Sequence, residues 1–174
     1  FETLMKTHTY KKIEPSKNCL SSAMNVGHPS NLARLIELFD GNMDENGVIH
    51  KEPNYKEMDK IFVAQSVTDE QTRETIRQAW AQYHIVLEPH GAVGWKCVED
   101  FIAKEKPSAE QLLISLETAH PAKFPQAIID TIGVDPELPE SLKEIESKEE
   151  HYDSIDGNYP TFKEYLDKRY GWRK

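Results

Sequence analysis

Two apolar runs, each followed at once by a helical pattern, constrain this fold more than any other feature of the sequence. Residues 61–67 (IFVAQSV) and 111–117 (QLLISLE) have the composition of short strands. A shorter run (IVL, 85–87) lies between them, and it too leads into a helical pattern. This alternation predicts an α/β layered fold, but so few strands cannot fill a sheet. We therefore expect part of a sheet whose other strands lie elsewhere.

Apolar residues spaced three and four apart predict four helices in and around these runs. Each of the four has a local signal at one or both of its ends. The signals are Ser30 and Gly41, the capping box of Thr68 and Gln71, the pair Gly91 and Gly94, and Gly133. A turn is predicted at Asn46-Gly47 between the first helix and the first strand.

Composition divides the chain into three parts. Residues 1–29 read as mostly loop, with a short helix at 1–6, and residues 30–133 form the α/β region that would line a ligand cleft. Residues 134–174 are acidic and interrupted by proline, which predicts a linker and a terminal helix packed on the outside. Two capping boxes are predicted in this tail, Ser141 with Glu144 and Thr161 with Glu164.

The charge of the chain argues against two classes of partner. The 174 residues carry a formal net charge of −9, so the surface would repel nucleic-acid phosphates and anionic membranes. Cys19 and Cys97 have no CxxC partner, which is typical of thiols in a reducing compartment. We expect a cytoplasmic protein. The first residue is Phe1, and we expect the chain to be a piece of a longer protein.

Three groups of residues could carry chemistry. The seven histidines show no metal-ligand spacing, so no metal site is expected. Gly91 and Gly94 open a helix and could admit an anion, but close packing is the favoured interpretation. Thr118 and His120 end a strand, where open α/β sheets bind ligands. Thr118 could equally cap the helix that begins near Pro121, and the residues alone leave both alternatives open.

Four stretches together resemble the carboxy-terminal portion of threonine synthases. They are CLSSAMNVGHPSNLARLIELF, LEPHGAVGWKCVEDF, SLETAHPAKFPQAI and LPESLKEI, in the family's order and spacing. The resemblance implies a partial layered α/β domain of a fold type II enzyme that depends on pyridoxal 5′-phosphate (PLP), with a mostly helical carboxy-terminal tail. It also implies a lyase that converts the small molecule O-phosphohomoserine and water into threonine and phosphate in threonine biosynthesis.

The resemblance also assigns roles to residues of this chain. Thr118 matches the hydroxyl that hydrogen-bonds the PLP ring nitrogen, and Ala119 would let the ring sit close. His120 and Glu88 would line the same cavity. Ser30 and Asn31 match polar positions on the substrate side.

Two departures from the family pattern limit what this chain can do. Asn25 stands where the family usually has Asp. The family's Schiff-base lysine, in a Ser-Phe-Lys-Asp stretch, and its Gly-Asn-Phe-Gly phosphate loop lie upstream of the matched region and do not occur here. Lys123 and Lys163 fall where the family has no such lysine. We therefore expect that this chain alone is catalytically inactive and needs the missing amino-terminal portion. Its open strand edges predict a homo-dimer or aggregation.

Two other functions remain open at this point. One is another fold type II PLP lyase, such as a threonine dehydratase. The other is a non-catalytic module that binds a ligand or a protein on the same scaffold.

Overall fold

The computed structural model describes residues 1–22 and 25–171. Its helices are α1 (Glu2–Thr7), α2 (Asn31–Leu38), α3 (Tyr55–Ile61), α4 (Asp69–Tyr83), α5 (Pro89–Glu105), α6 (Pro125–Ile132) and α7 (Tyr159–Tyr170). Two short strands, β1 (Asn42–Met43) and β2 (Ile49–Lys51), pair antiparallel. Single 3₁₀ turns cover Pro121–Lys123, Glu140–Leu142 and Ile145–Ser147. Ala23 and Met24, in the middle of the first family-like stretch, lie outside the described residues.

Local end signals predict several helix boundaries correctly. Thr68 and Gln71 form both hydrogen bonds of a capping box at the start of α4. Gly133 ends α6 with a φ of 70°, a left-handed conformation that favours glycine. Ser30 does occupy the N-cap position of α2, although its side chain makes no capping hydrogen bond there. Helix α2 ends at Leu38, before the predicted stop at Gly41.

The strand predictions are wrong in detail. Helix α3 extends through Ile61, and residues 62–67 and 111–117 carry no strand ladder within the described chain. A ladder needs a neighbouring backbone, and these runs have none among the described residues. The predicted turn at Asn46-Gly47 is confirmed, with Gly47 at a φ of 84°, and it joins the strands of the β1–β2 hairpin. Neither of these two strands was predicted from the sequence.

The tail also differs from its predicted capping boxes. Glu140–Leu142 and Ile145–Ser147 form 3₁₀ turns, and no α-helix starts at Ser141. Helix α7 begins at Tyr159, two residues before the predicted cap, because the Asn158 side chain accepts a hydrogen bond from the Thr161 amide at 2.9 Å. Asparagine is among the strongest N-cap residues, so Asn158 caps the helix in place of the predicted Thr161.

The chain divides into two compact units, Phe1–Glu137 and the residues from Leu138 onward. The first unit holds two buried clusters. Leu4, Leu32, Ile36 and Met43 join α1 and α2 to the hairpin. Ile76 and Ala79 of α4 meet Leu87, Ala92 of α5 and Ile128 of α6. The second cluster fixes α4, α5 and α6 as one layer, and this layer carries the candidate site. Among the described helices, none is both long and apolar enough to cross a membrane.

Candidate functional site

The 111–117 segment lies along α5, in the direction opposite to the helix. An added Cβ at Gly91 would lie closer than 3.0 Å to the Glu117 carboxyl group, and one at Gly94 would lie 3.0 Å from Ser115 Oγ. Further along, Leu113 faces Cys97 across a cavity of about 220 Å³. Both glycines therefore serve close packing of this segment on the helix. This is the interpretation that the sequence favoured for them.

Alternate residues of the same segment face away from α5. Leu112, Ile114 and Leu116 are 80%, 67% and 75% exposed, whereas Leu113 and Ser115 are half-buried. This alternation is that of a strand with one covered face and one open face. The residues thus behave as the sequence predicted, although no ladder pairs them.

Helix α5 is capped by a buried carboxylate. Glu88 is 0% exposed, and its two oxygens accept hydrogen bonds from the amides of His90 at 2.8 Å and Gly91 at 2.7 Å. Glu88 Oε2, which accepts from the His90 backbone amide, also accepts from His90 Nδ1 at 2.7 Å. A negative side chain is stabilised at this helix end by the helix dipole. The amides that an external anion would need are already bonded, which argues against an anion site here.

The seam between the segment and α6 comprises Thr118, Ala119 and His120. His120 Nδ1 accepts a hydrogen bond from the Ala122 amide at 3.2 Å, so His120, and not Thr118, caps the 3₁₀ turn at Pro121–Lys123. The interpretation of Thr118 as a helix cap is therefore wrong. Next to the seam, the rings of His90 and Phe124 lie 5.2 Å apart.

Thr118 is an exposed residue of the seam. It makes no side-chain hydrogen bond with any residue that the structure describes. Ala119 beside it is half-buried and carries only a methyl group. A neutral donor next to a small side chain fits an aromatic nitrogen heterocycle that approaches edge-on.

Two carboxyl groups meet behind this seam. The pKa of Glu117 is raised by burial first and then by repulsion from Glu88, and a hydrogen bond with the Glu88 side chain acts in the same direction. A hydrogen bond from the Glu88 backbone amide and the nearby His90 act in the opposite direction. Glu117 was not among the residues predicted for the site. The available signal was its position one residue before Thr118.

The predicted substrate-side residues lie in another part of the first unit. Ser30 and Asn31 are exposed at the start of α2, and Asn31 lines a mostly apolar cavity of about 420 Å³ with Tyr10, Val26 and Leu35 among its walls. The residues that line this cavity belong to 1–35 and include none of the seam. The described chain thus holds two separate candidate regions.

Asn25 uses its amide as both donor and acceptor. It accepts a hydrogen bond from the Ser22 hydroxyl and donates one to Asn18 Oδ1 at 3.4 Å. An aspartate could accept from Ser22 but could not donate to Asn18. The residue therefore has a local structural role that the family's usual Asp would not fill. Among the described residues, no group of three or more His, Cys, Asp or Glu is placed to hold a metal ion.

Comparison with known proteins relates these features to one family. A family profile described as "Threonine synthase, C-terminal" matches residues 91–166, which include α5 from Gly91 onward and the whole seam. The threonine synthase of Pseudomonas aeruginosa is 31% identical over 144 residues, and the match covers 75% of this chain and 30% of that protein. The chain matches the carboxy-terminal portion of threonine synthases. The threonine synthase of Saccharomyces cerevisiae is 30% identical over 157 residues, and the match covers 76% of this chain. Both matches span 30% of the length of the relative.

Solved threonine synthases share the fold. PLP-bound threonine synthase from Brucella melitensis superposes with a TM-score of 0.72 at 24% identity, covering 95% of this chain and 37% of that one. The yeast threonine synthase gives a TM-score of 0.70 at 26% identity over 85% of this chain and 35% of that one. These matches confirm the predicted fold class, a partial layered α/β domain, even though the strand runs of this chain have no ladder.

Proposed function

We propose that this chain is the carboxy-terminal part of a threonine synthase. The full-length protein would use PLP to convert O-phosphohomoserine and water into threonine and phosphate. The observation that carries the proposal is the seam: an exposed, neutral hydroxyl at Thr118 follows a segment packed tightly on α5, within the family-matched region. Such a biosynthetic role would place the protein in the cytoplasm.

The residues of the seam suit the edge of the PLP ring. Thr118 would donate a hydrogen bond to the ring nitrogen and leave that nitrogen unprotonated. A hydroxyl is a far weaker acid than a pyridinium ion, so it does not transfer its proton to the ring. Ala119 would leave room for the ring, and His120 would hold the backbone turn through its bond to Ala122. When bound, PLP serves as an electron sink that lets a proton leave a substrate carbon.

Glu88 would act on this site through its neighbour. Its oxygens accept hydrogen bonds from α5 amides and from His90, which hold the carboxyl group in place. The carboxylate would keep the His90 ring oriented towards Phe124 and the seam. We therefore retain Glu88 as a residue of the cofactor site and assign its contact with the cofactor to His90.

The exposed apolar face of the 111–117 segment is suited to contact with another part of the same protein. Leu112, Ile114 and Leu116 lie on the same side as Thr118, and a row of exposed apolar residues in a strand-like segment calls for a covering sheet. We propose the amino-terminal portion of the threonine synthase as that cover. It would also supply the lysine that binds PLP covalently and the phosphate loop, which this chain lacks.

Ser30 and Asn31 would bind the substrate in the assembled enzyme. Both are exposed polar side chains at the start of α2, where backbone amides and the helix dipole favour a negatively charged group. O-Phosphohomoserine carries such groups at both ends. The two candidate regions of this chain would then serve the cofactor and the substrate separately.

Product analysis on the full-length protein tests the proposal. The protein encoded by the reading frame that contains this chain is purified with PLP and given O-phosphohomoserine. We expect threonine and inorganic phosphate in equal amounts. Ammonia and 2-oxobutanoate from threonine, without phosphate release from O-phosphohomoserine, would instead indicate a threonine dehydratase. Neither activity, in a protein that has no Ser-Phe-Lys-Asp stretch upstream, would indicate a binding module.

A further inference from the structure

We propose that Glu117 is a positioning residue whose carboxyl group, held in the notch at Gly91 against Glu88, locks the Thr118–His120 seam onto α5. No role for Glu117 follows from the family resemblance. The link to a cofactor rests on the function proposed above for Thr118. The lock itself does not, because it concerns contacts within this chain.

The geometry at Gly91 carries this proposal. All three atoms of the Glu117 carboxyl group lie closer than 3.0 Å to the place where a Cβ of residue 91 would be. The carboxyl group therefore fills the space that only glycine leaves on this face of α5. Because Thr118 is the next residue, a fixed Glu117 side chain also fixes the peptide that carries the Thr118 hydroxyl.

The charges around the notch make the lock depend on a proton. From the first turn of α5 and its cap, Glu88 and His90 face the Glu117 carboxyl group. Glu88 already accepts hydrogen bonds from two backbone amides and from His90. Burial and repulsion from Glu88 raise the pKa of Glu117, whereas a hydrogen bond from the Glu88 backbone amide lowers it. A protonated Glu117 can donate a hydrogen bond to Glu88, whereas an ionised Glu117 is repelled by it.

The direction of the pH effect follows from the raised pKa of Glu117. The folded protein keeps this proton at pH values where the unfolded chain, at the ordinary value of 4.5, has lost it. The folded state thus binds more protons, and its stability falls as the pH rises from 4.5 to the pKa of the folded state. Over the same interval the seam is released from α5.

The experiment is an NMR titration of the chain between pH 4 and pH 9. The reporters are the side-chain carboxyl carbon of Glu117 and the backbone amide of Thr118. We expect both signals to shift with one common midpoint above 4.5, the ordinary value for glutamate. In Glu117→Gln, a neutral residue of the same shape, the shift of the Thr118 amide with that midpoint should be lost. Glu110→Gln, at an exposed position in the preceding loop, is the matched control and should leave it unchanged.

A second variant tests the notch without changing any charge. Gly91→Ala should displace the Glu117 carboxyl group and shift the Thr118 amide, whereas Gly157→Ala, with nothing near its Cβ position, should do neither. A Glu117 midpoint at 4.5, or a Thr118 titration that survives in Glu117→Gln, would overturn the proposal. The glutamine result decides even if Gly91→Ala does not fold. Because activity is not measured, a failure of the lock is distinct from a failure of the threonine synthase assignment.

Discussion

Replacing Glu88 by alanine should destabilise the first unit by removing the cap of α5. The wild-type carboxylate accepts two backbone hydrogen bonds, at 2.7 and 2.8 Å, and a third from His90 while fully buried. Loss of an N-cap costs about 0.5–2 kcal/mol. Hydrogen bonds to a charged acceptor are worth about 1.5–3 kcal/mol. We therefore expect a net destabilisation of about 2 kcal/mol.

Urea unfolding followed by circular dichroism at 222 nm measures this change. For a unit of this size about 2 kcal/mol corresponds to a fall in Tm of roughly 4–8 °C. Glu110→Ala, at an exposed loop position, should change the free energy of unfolding by less than about 0.5 kcal/mol. Glu88→Asp should recover part of the loss, because aspartate is a good N-cap. If Glu88→Ala were as stable as Glu110→Ala, the cap would not hold α5 and the description of this helix end would be wrong.

Three further predictions concern other parts of the chain. At neutral pH a thiol reagent should modify the exposed Cys19 before Cys97, since burial raises the pKa of the Cys97 thiol; mass spectrometry showing Cys97 modified first would contradict this. Thr68→Ala should lower the free energy of unfolding by about 1 kcal/mol through loss of the capping box. Thr161→Ala should cost less than about 0.5 kcal/mol, because Asn158 caps α7, and equal losses in urea would refute that assignment. By light scattering the chain should self-associate, and Ile114→Lys should weaken this association; a monomeric wild-type chain would argue against an open sheet face.

The sequence predicted helices well because their signals are local. The Thr68 and Gln71 box and the glycine at 133 act within one turn of the residues they cap. The strand runs failed for the opposite reason. The composition of residues 111–117 indicated a strand, and their exposure does alternate as in a strand, but a ladder depends on a second backbone that the run itself does not specify. At Asn158 the error was a choice between two competing capping residues three positions apart.

The candidate site was predicted only in part. Thr118 and Ala119 were found through a family motif, and the structure describes an exposed hydroxyl beside a half-buried methyl group at these positions. Their roles at a cofactor, like those of Ser30 and Asn31, stay predictions. The contact between Glu117 and Gly91 was missed because it joins residues distant in sequence. The capping role of Glu88 had a usable local signal, an acceptor side chain directly before Pro89 at the first helical position.

The central claim is that the Thr118 hydroxyl bonds the ring nitrogen of PLP in the full-length protein. The measurement is the ¹⁵N chemical shift of PLP labelled at that nitrogen, compared between the wild type and Thr118→Val. We expect an unprotonated, hydrogen-bonded nitrogen in the wild type and a shift towards the value of a free pyridine in the valine variant. An identical shift in both proteins would contradict the claim.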